Sequence, residues 1–262
     1  MRITVMLAML VIGVSAHGAE RTAPRRTPPV AVIVNDEKRS ADVGEASGQL
    51  FKGTNLLRRN AGRNALASNA ALVAAAASFA EFMARTDQYG HEADGNDPSA
   101  RAARAGYDAC IVAENIAYQF LSTGFSTEEL VKTLLDGWMD SPGHRANLLA
   151  PDVSELGVAI ARSARSGKYY GVQLFGRPRS QSVEFTVRNN ADVPLAYEFD
   201  GDVQSLPVRT TVRHMLCRPT KLVFHWPGKQ PDVTIEAETR QVYEVVRSAA
   251  GEYRVNQQGA RP

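Results

Sequence analysis

Two hydrophobic periods follow one another along the chain, and the change between them divides it. From Thr54 onward apolar residues recur at spacings of three and four, which predicts helices. Leu56 and Leu57 precede Gly62, a glycine suited to end a first helix. Ser68 or Asn69 can cap a second, longer helix carrying Leu72, Val73, Ala76, Phe79, Ala80 and Met83, whose alanines let a neighbouring backbone come close. Asp97-Pro98 starts a third that stops at Gly106, a capping residue followed by proline at the first helical position. Ser126 and Glu129 form a capping box for a fourth, with Leu130, Leu134 and Trp138 in one apolar row and Val131, Leu135 and Met139 beside it. That row reads as core. Pro142-Gly143 ends this helix at a corner that presents His144.

After that corner the period shortens. Leu156–Ile160 and Tyr169–Phe175 read as strands joined through the polar turn 162–168, so residues 54–177 predict helices around a small antiparallel sheet. From Pro178 the chain is a run of short strands near 183–188, 195–199, 208–213, 222–225, 233–237, 242–246 and 253–255. Turn signals such as Asn189-Asn190-Ala191-Asp192, Asp200-Gly201-Asp202 and Pro227-Gly228 separate them. Regular spacing of this kind predicts a small β-sandwich or barrel over 178–262. The fold class is therefore α+β, with an all-β C-terminal part.

The first 53 residues obey neither period. Met1-Arg2, an apolar run from Val5 to Val14, and small residues at Ser15, Ala16, Gly18 and Ala19 describe a secretory signal peptide over 1–19, cut after Ala16 or Ala19. The run is shorter than the ~20 residues a membrane-spanning helix needs. A retained N-terminal anchor is the alternative. Arg21–Pro29 reads as a flexible leader and Val30–Val34 as a candidate edge strand. Asp36–Gly53 is polar and glycine-dotted, without a period, so 20–53 is taken as an extension or linker.

Composition narrows the function. With 44% apolar and 22% charged residues in 262, the chain is an ordinary folded one. A formal charge of +2, with no basic cluster in the body of the chain, argues against a nucleic-acid surface. No stretch of the mature chain reads as a membrane span, so an exported protein of the extracellular space, periplasm or cell envelope is expected. In an oxidising route Cys110 and Cys217 are either bridged or two buried thiols. A bridge would staple the two parts and, by loop-closure entropy, stabilise the fold by about 4–5 kcal/mol.

The order Gly90-His91, Ala113-Glu114-Asn115-Ile116, Trp138-Met139-x-Ser141-Pro142-Gly143-His144-Arg145-x-Asn147-Leu148-Leu149 and Glu155-Leu156-Gly157-Val158 resembles the CAP superfamily. This is the family of cysteine-rich secretory proteins, antigen 5 and pathogenesis-related 1 proteins. The likeness is greatest to its bacterial SCP-like extracellular branch, and Asp97-Pro98, Arg101 and Gly106-Tyr107 add to it. It covers residues 54–177. It implies an α-β-α sandwich with a cleft of two histidines and two acids that in some members binds a divalent metal. Carried over, His91, Glu114 and His144 match three of the four. The second acid has no clear match; Asp140 is the nearest, with Asp136 behind it.

Two imidazoles and a carboxylate suit Zn²⁺ with a position left for water, and Glu114 or Asp140 could then serve as general base. The helix of spacing His-Glu-x-x-His that marks many metallohydrolases is absent from the sequence. Arg145 can meet an anionic ligand or pair with Glu155. Ser141 lacks the Gly-x-Ser-x-Gly surround of a nucleophile, and His214 and His225 read as structural. The first expectation is an exported binding protein for a lipid, glycan or cell-envelope fragment, or for a protein partner. The alternative is a metal-dependent hydrolase of peptide or envelope polymers.

Overall fold

The strand that organises the molecule is one that alternation does not announce. In the computed structural model, which describes residues 39–259, β2 (Ala109–Gln119) forms one edge of a four-stranded sheet in the order β1-β3-β4-β2. β1 (Ala67–Ser68) pairs in parallel with β3 (Glu155–Arg162); β3 and β2 both run antiparallel to β4 (Tyr169–Pro178). The signal peptide, His17 and the candidate strand Val30–Val34 lie outside the described residues. Among the described residues, no helix is long and apolar enough to cross a membrane.

Helices cover both faces of this sheet. On one side lie α2 (Ala70–Thr86) and α3 (Pro98–Arg104), which bury Leu72, Phe79, Met83 and Ala102 against Ile116, Tyr170, Val172 and Leu174. Asn69 caps α2 by accepting from the Ala71 and Leu72 amides, and Asp97 caps α3 by accepting from Ala100. β3 crosses α2 so closely that a Cβ on Gly157 would lie 2.1 Å from the Leu72 carbonyl carbon, so only glycine fits there.

The other side carries α1 (Val43–Asn60), α4 (Thr127–Asp140) and α5 (Pro142–Leu148), with Leu50, Leu134, Trp138 and Leu148 packed on Leu156, Val158, Ile160 and Phe175. The capping box of α4 closes in both directions: Glu129 N donates to Ser126 Oγ at 3.2 Å, and Ser126 N to Glu129 Oε2 at 2.9 Å. The architecture is the α-β-α sandwich of the resemblance.

Two expectations change here. The break drawn at residue 53 falls inside α1, which starts at Asp42, whose side chain accepts from the Glu45 amide. Its buried row is Ala46, Leu50, Thr54 and Arg58, so the apolar period fades halfway along. Gly53 sits where Leu135 of α4 comes within 2.5 Å of where a Cβ would be, making it a close-approach residue, not a linker residue. Pro142-Gly143 likewise opens a helix: Ser141 ends α4 and precedes α5, with proline in its first turn.

Beyond the sheet, two four-stranded sheets face each other. One has the order β12-β11-β5-β8, from β5 (Val183–Asn189), β8 (Thr211–Leu216), β11 (Gln241–Arg247) and β12 (Tyr253–Gly259). The other has the order β10-β9-β6-β7, from β6 (Leu195–Phe199), β7 (Asp202–Leu206), β9 (Lys221–His225) and β10 (Val233–Glu236). Phe185, Val187, Tyr243 and Val245 of the first meet Tyr197, Leu206, Leu222 and Phe224 of the second in one core. β7 is a strand that the expected series leaves out between 195–199 and 208–213. The strand expected from Val208 starts at Thr211, because Arg209 takes φ +61°. Cys110 and Cys217 are bonded, tying β2 to the end of β8, and Arg218 Nε reaches Asp152 Oδ2 at 3.1 Å. The β2–β4 register slips between Ala109 and Ile111, so Cys110 sits on an irregularity that re-aims its side chain.

Candidate functional site at the free edge of β2

Neighbouring residues on a strand point to opposite faces. On β2, Glu114 lies opposite Leu174, on the α2 side, and Asn115 opposite Gln173, on the α5 side. Each anchors one histidine. Glu114 Oε1 is 2.8 Å from His91 Nδ1, and Glu114 Oε2 accepts from Arg101 at 2.7 Å. The Glu114 side chain is 1% exposed and that of His91 52%, so a buried carboxylate holds a ring that reaches solvent.

Arg101 is the nucleus of this half. Its guanidinium lies 3.6 Å from the centre of the Phe79 ring, pairs with Asp94 at 2.8 Å, and donates to the carbonyls of Asn96 and His91. The turn 91–96 is thus wound around one cation, which fixes the backbone of His91 as well as its ring. Sequence reasoning marked Arg101 only as part of the family pattern. Nothing in its spacing reveals that it neutralises Glu114.

The other half is a chain of amides. Asn115 Nδ2 donates to the His144 carbonyl at 3.1 Å and to Gln173 Oε1 at 3.1 Å. Gln173 Nε2 donates to Thr54 Oγ1, which donates to Leu50 O. Asn147 Nδ2 donates to the Glu114 carbonyl and to Asn115 Oδ1, both at 3.1 Å. Asn115, Gln173 and Thr54 are fully buried, so α5, β2, β4 and α1 are fastened through polar groups that satisfy one another. These bonds also blunt the free strand edge. The Glu114 carbonyl accepts from Asn147, and that of Ile116 from Tyr89 Oη and Trp138 Nε1.

His91 arrives from one helical layer and His144 from the other. The pKa of His144 is lowered, first by burial and then by the positive charge His91 carries when protonated. Asp140 is exposed at the end of α4, one turn beyond Asp136, which pairs with Lys132. Arg145 donates to the Met139 carbonyl at the end of α4, while Glu155 is taken by Tyr107 Oη and Asn69 Nδ2. The Arg145–Glu155 pair is not formed.

The donor set decides how a metal would fit. Both oxygens of Glu114 are committed, one of them to a cation, and His91 uses Nδ1. Among the described residues no group of three or more His, Cys, Asp or Glu side chains is arranged to hold a metal ion. Glu114 fits the outer position of a carboxylate–histidine–metal array, orienting His91 so that Nε2 faces outward. Direct ligation by all three residues does not fit.

An α-β-α layer with one histidine held from each helical side of β2 agrees with the fold that the resemblance implies. Residues 51–175 match the Cysteine-rich secretory protein family, CAP, and this part of the chain is a CAP domain. Among solved structures, an outer surface protein of Borrelia burgdorferi is 19% identical with a TM-score of 0.46, over 54% of this chain and 98% of that one. An extracellular protein containing a SCP domain from Bacillus anthracis is 24% identical with a TM-score of 0.44, over 52% and 41%. A cysteine-rich secretory protein of Staphylococcus aureus is 24% identical with a TM-score of 0.40, over 52% and 39%. This chain thus spans less than half the length of the latter two. No curated protein matches the sequence.

Proposed function

We propose that the protein works outside the cytoplasm as a binding protein whose ligand, a fragment of the cell envelope, lodges at the β2 edge between His91 and His144. The observation that carries this reading is the contrast between a solvent-reaching His91 ring and the wholly buried Glu114–Arg101 pair that fixes it. Buried polar groups that immobilise an exposed one are an investment in preorganisation, which a purely structural pair would not need. The apolar start of the chain and the match of residues 51–175 to the Cysteine-rich secretory protein family support an exported location.

A divalent ion such as Zn²⁺ enters this reading in reduced form. His91 through Nε2 and His144 would be its protein donors, with Glu114 behind His91, and the ion would supply a Lewis-acidic contact for an anionic ligand group. The hydrolase alternative is weaker. Glu114 is buried with both oxygens already bonded, Oε1 to His91 and Oε2 to Arg101, so neither is placed to meet a water that a general base must activate.

The test follows the ring resonances of His91 and His144 by NMR during titration with soluble muropeptides, and separately with Zn²⁺. Both rings should shift together with muropeptide. Shifts confined to residues beyond 183, or none at all, would remove the cleft from the account.

A further inference from the structure

The same face of β2 that carries Glu114 continues through Ile116 to Tyr118, and Phe120 follows directly on the strand's end at Gln119. At ~3.3 Å per residue, Glu114 and Tyr118 lie about 13 Å apart along the strand. Between them stands Tyr89, two residues before His91, packed edge-on against Tyr118 with ring centres 5.1 Å apart. Tyr89 is 46% exposed, Tyr118 45% and Phe120 53%. These rings are not loose. Tyr89 Oη is bonded to the Ile116 carbonyl, Tyr118 leans on buried Tyr170, and Phe120 approaches within 3.6 Å of where a Cβ on Gly167 would be. Lys168 Nζ lies 4.7 Å from the centre of the Tyr118 ring, and an Arg162 Nη is near the same point on Gly167 as Phe120. Neither cation has a carboxylate partner among the described residues. A contiguous row of fixed, half-exposed rings edged by unpaired cations is a surface shaped for contact.

We infer that Tyr89, Tyr118, Phe120 and Lys168 form a saccharide subsite continuous with the histidine cleft, and that the occupant is a carboxylate-bearing oligosaccharide. Pyranose rings present flat C–H faces that pack on aromatic rings, and their carboxylates match Lys168 and Arg162. A lipid chain would instead call for an enclosed apolar channel, whereas this surface is open and bordered by charge. The inference rests on the cleft reading in one respect: it places the other end of the sugar chain at His91.

The experiment is calorimetric titration of the full chain with tetragalacturonate, with chitotetraose as the neutral comparator, alongside sedimentation with vesicles of equimolar phosphatidylcholine and phosphatidylglycerol. Tetragalacturonate should bind, more weakly as ionic strength rises. Phe120→Ala should weaken it about tenfold, and Lys168→Gln about fivefold, at unchanged thermal midpoint. Chitotetraose should bind about tenfold more weakly than the acidic sugar. The inference is overturned by no tetragalacturonate binding, by equal binding of the neutral sugar, or by indifference to both substitutions. Vesicle binding that depends on Phe120, without sugar binding, would make the surface a membrane contact instead. Should the sugar bind through Phe120 while the His91 and His144 resonances stay still, the subsite stands and the cleft reading fails. The reverse pattern removes the subsite alone.

Discussion

The layered domain and the β-sandwich use the same alternation of side chains, yet they bury different things. Before residue 178 the buried polar residues are Thr54, Asn55, Arg58, Arg101, Glu114, Asn115, Ser163 and Gln173; beyond it they are Asn189 and Thr220. The sandwich core is instead aromatic, with Phe185, Tyr197, Phe224 and Tyr243. A buried polar group costs stability unless it is bonded, so each must have an employment. Arg58 donates to the carbonyls of Asn64, Leu148 and Ala150; Asn55 bonds both the amide and the carbonyl of Leu66; Arg101 winds the turn 91–96. All of them pin irregular backbone. The layered domain carries longer irregular segments, among them the stretch 87–97 that holds His91. The sandwich joins its strands by short turns, and Asn189, which bonds Val193 O, Leu206 O and Ala191 N, meets the same need there.

The largest test of this contrast severs the bond between the parts. Replacing both Cys110 and Cys217 by serine should lower unfolding stability by about 4–5 kcal/mol, read as a fall in the urea midpoint, since the bridge closes a loop of 107 residues. A loss under about 1 kcal/mol would mean that the parts hold together without it.

Next comes the removal of a single polar anchor from each side. Glu114→Ala takes from buried Arg101 the more buried of its two carboxylates, leaving Asp94, and should cost about 3 kcal/mol. Tyr197→Phe deletes the 2.6 Å contact between Tyr197 Oη and His214 Nε2, which links the two sheets, and should cost about 1–3 kcal/mol. Equal losses would erase the distinction between the two cores. A third variant isolates the amide chain. Asn115→Ala should cost about 1–3 kcal/mol and broaden the His144 ring resonance while leaving that of His91 sharp, because Asn115 bonds the His144 carbonyl and Glu114 holds His91.

Local chemistry was legible in the sequence and distant chemistry was not. The caps at Asn69, Asp97 and Ser126 stand where turn and capping residues place them, because a cap is decided within four residues. α1 escaped because its inward row becomes polar at Thr54 and Arg58, whose partners at Gln173 and Leu148 lie far along the chain. β2 escaped for a related reason. Helices cover both its faces and one edge is bonded by side chains, so Ala113-Glu114-Asn115-Ile116 shows neither alternation nor an unbroken apolar run. The grouping of His91, Glu114 and His144 came from family resemblance, not from spacing. The resemblance also implies a second acid near Trp138, whereas the charge paired with Glu114 is the cation of Arg101.

The smallest expected effect concerns pH and separates the two regions once more. His214 sits between Phe185 and Phe199, with ring centres 5.0 and 4.8 Å away, and burial lowers its pKa from the ordinary 6.5. Well above pH 6.5 the ring is neutral in both folded and unfolded chains and contributes no pH dependence. As pH falls below that value the unfolded chain takes up a proton that the sandwich refuses, so stability declines until the folded pKa is reached and then levels off. His214→Gln should therefore flatten the acid limb of a stability–pH curve while lowering its plateau, since glutamine can keep a bond to Tyr197 but not the stacking. Burial also lowers the pKa of His144 in the layered domain, so part of the acid limb should remain after His214→Gln. A curve whose acid limb survives His214→Gln unchanged would place the titrating group outside the sandwich.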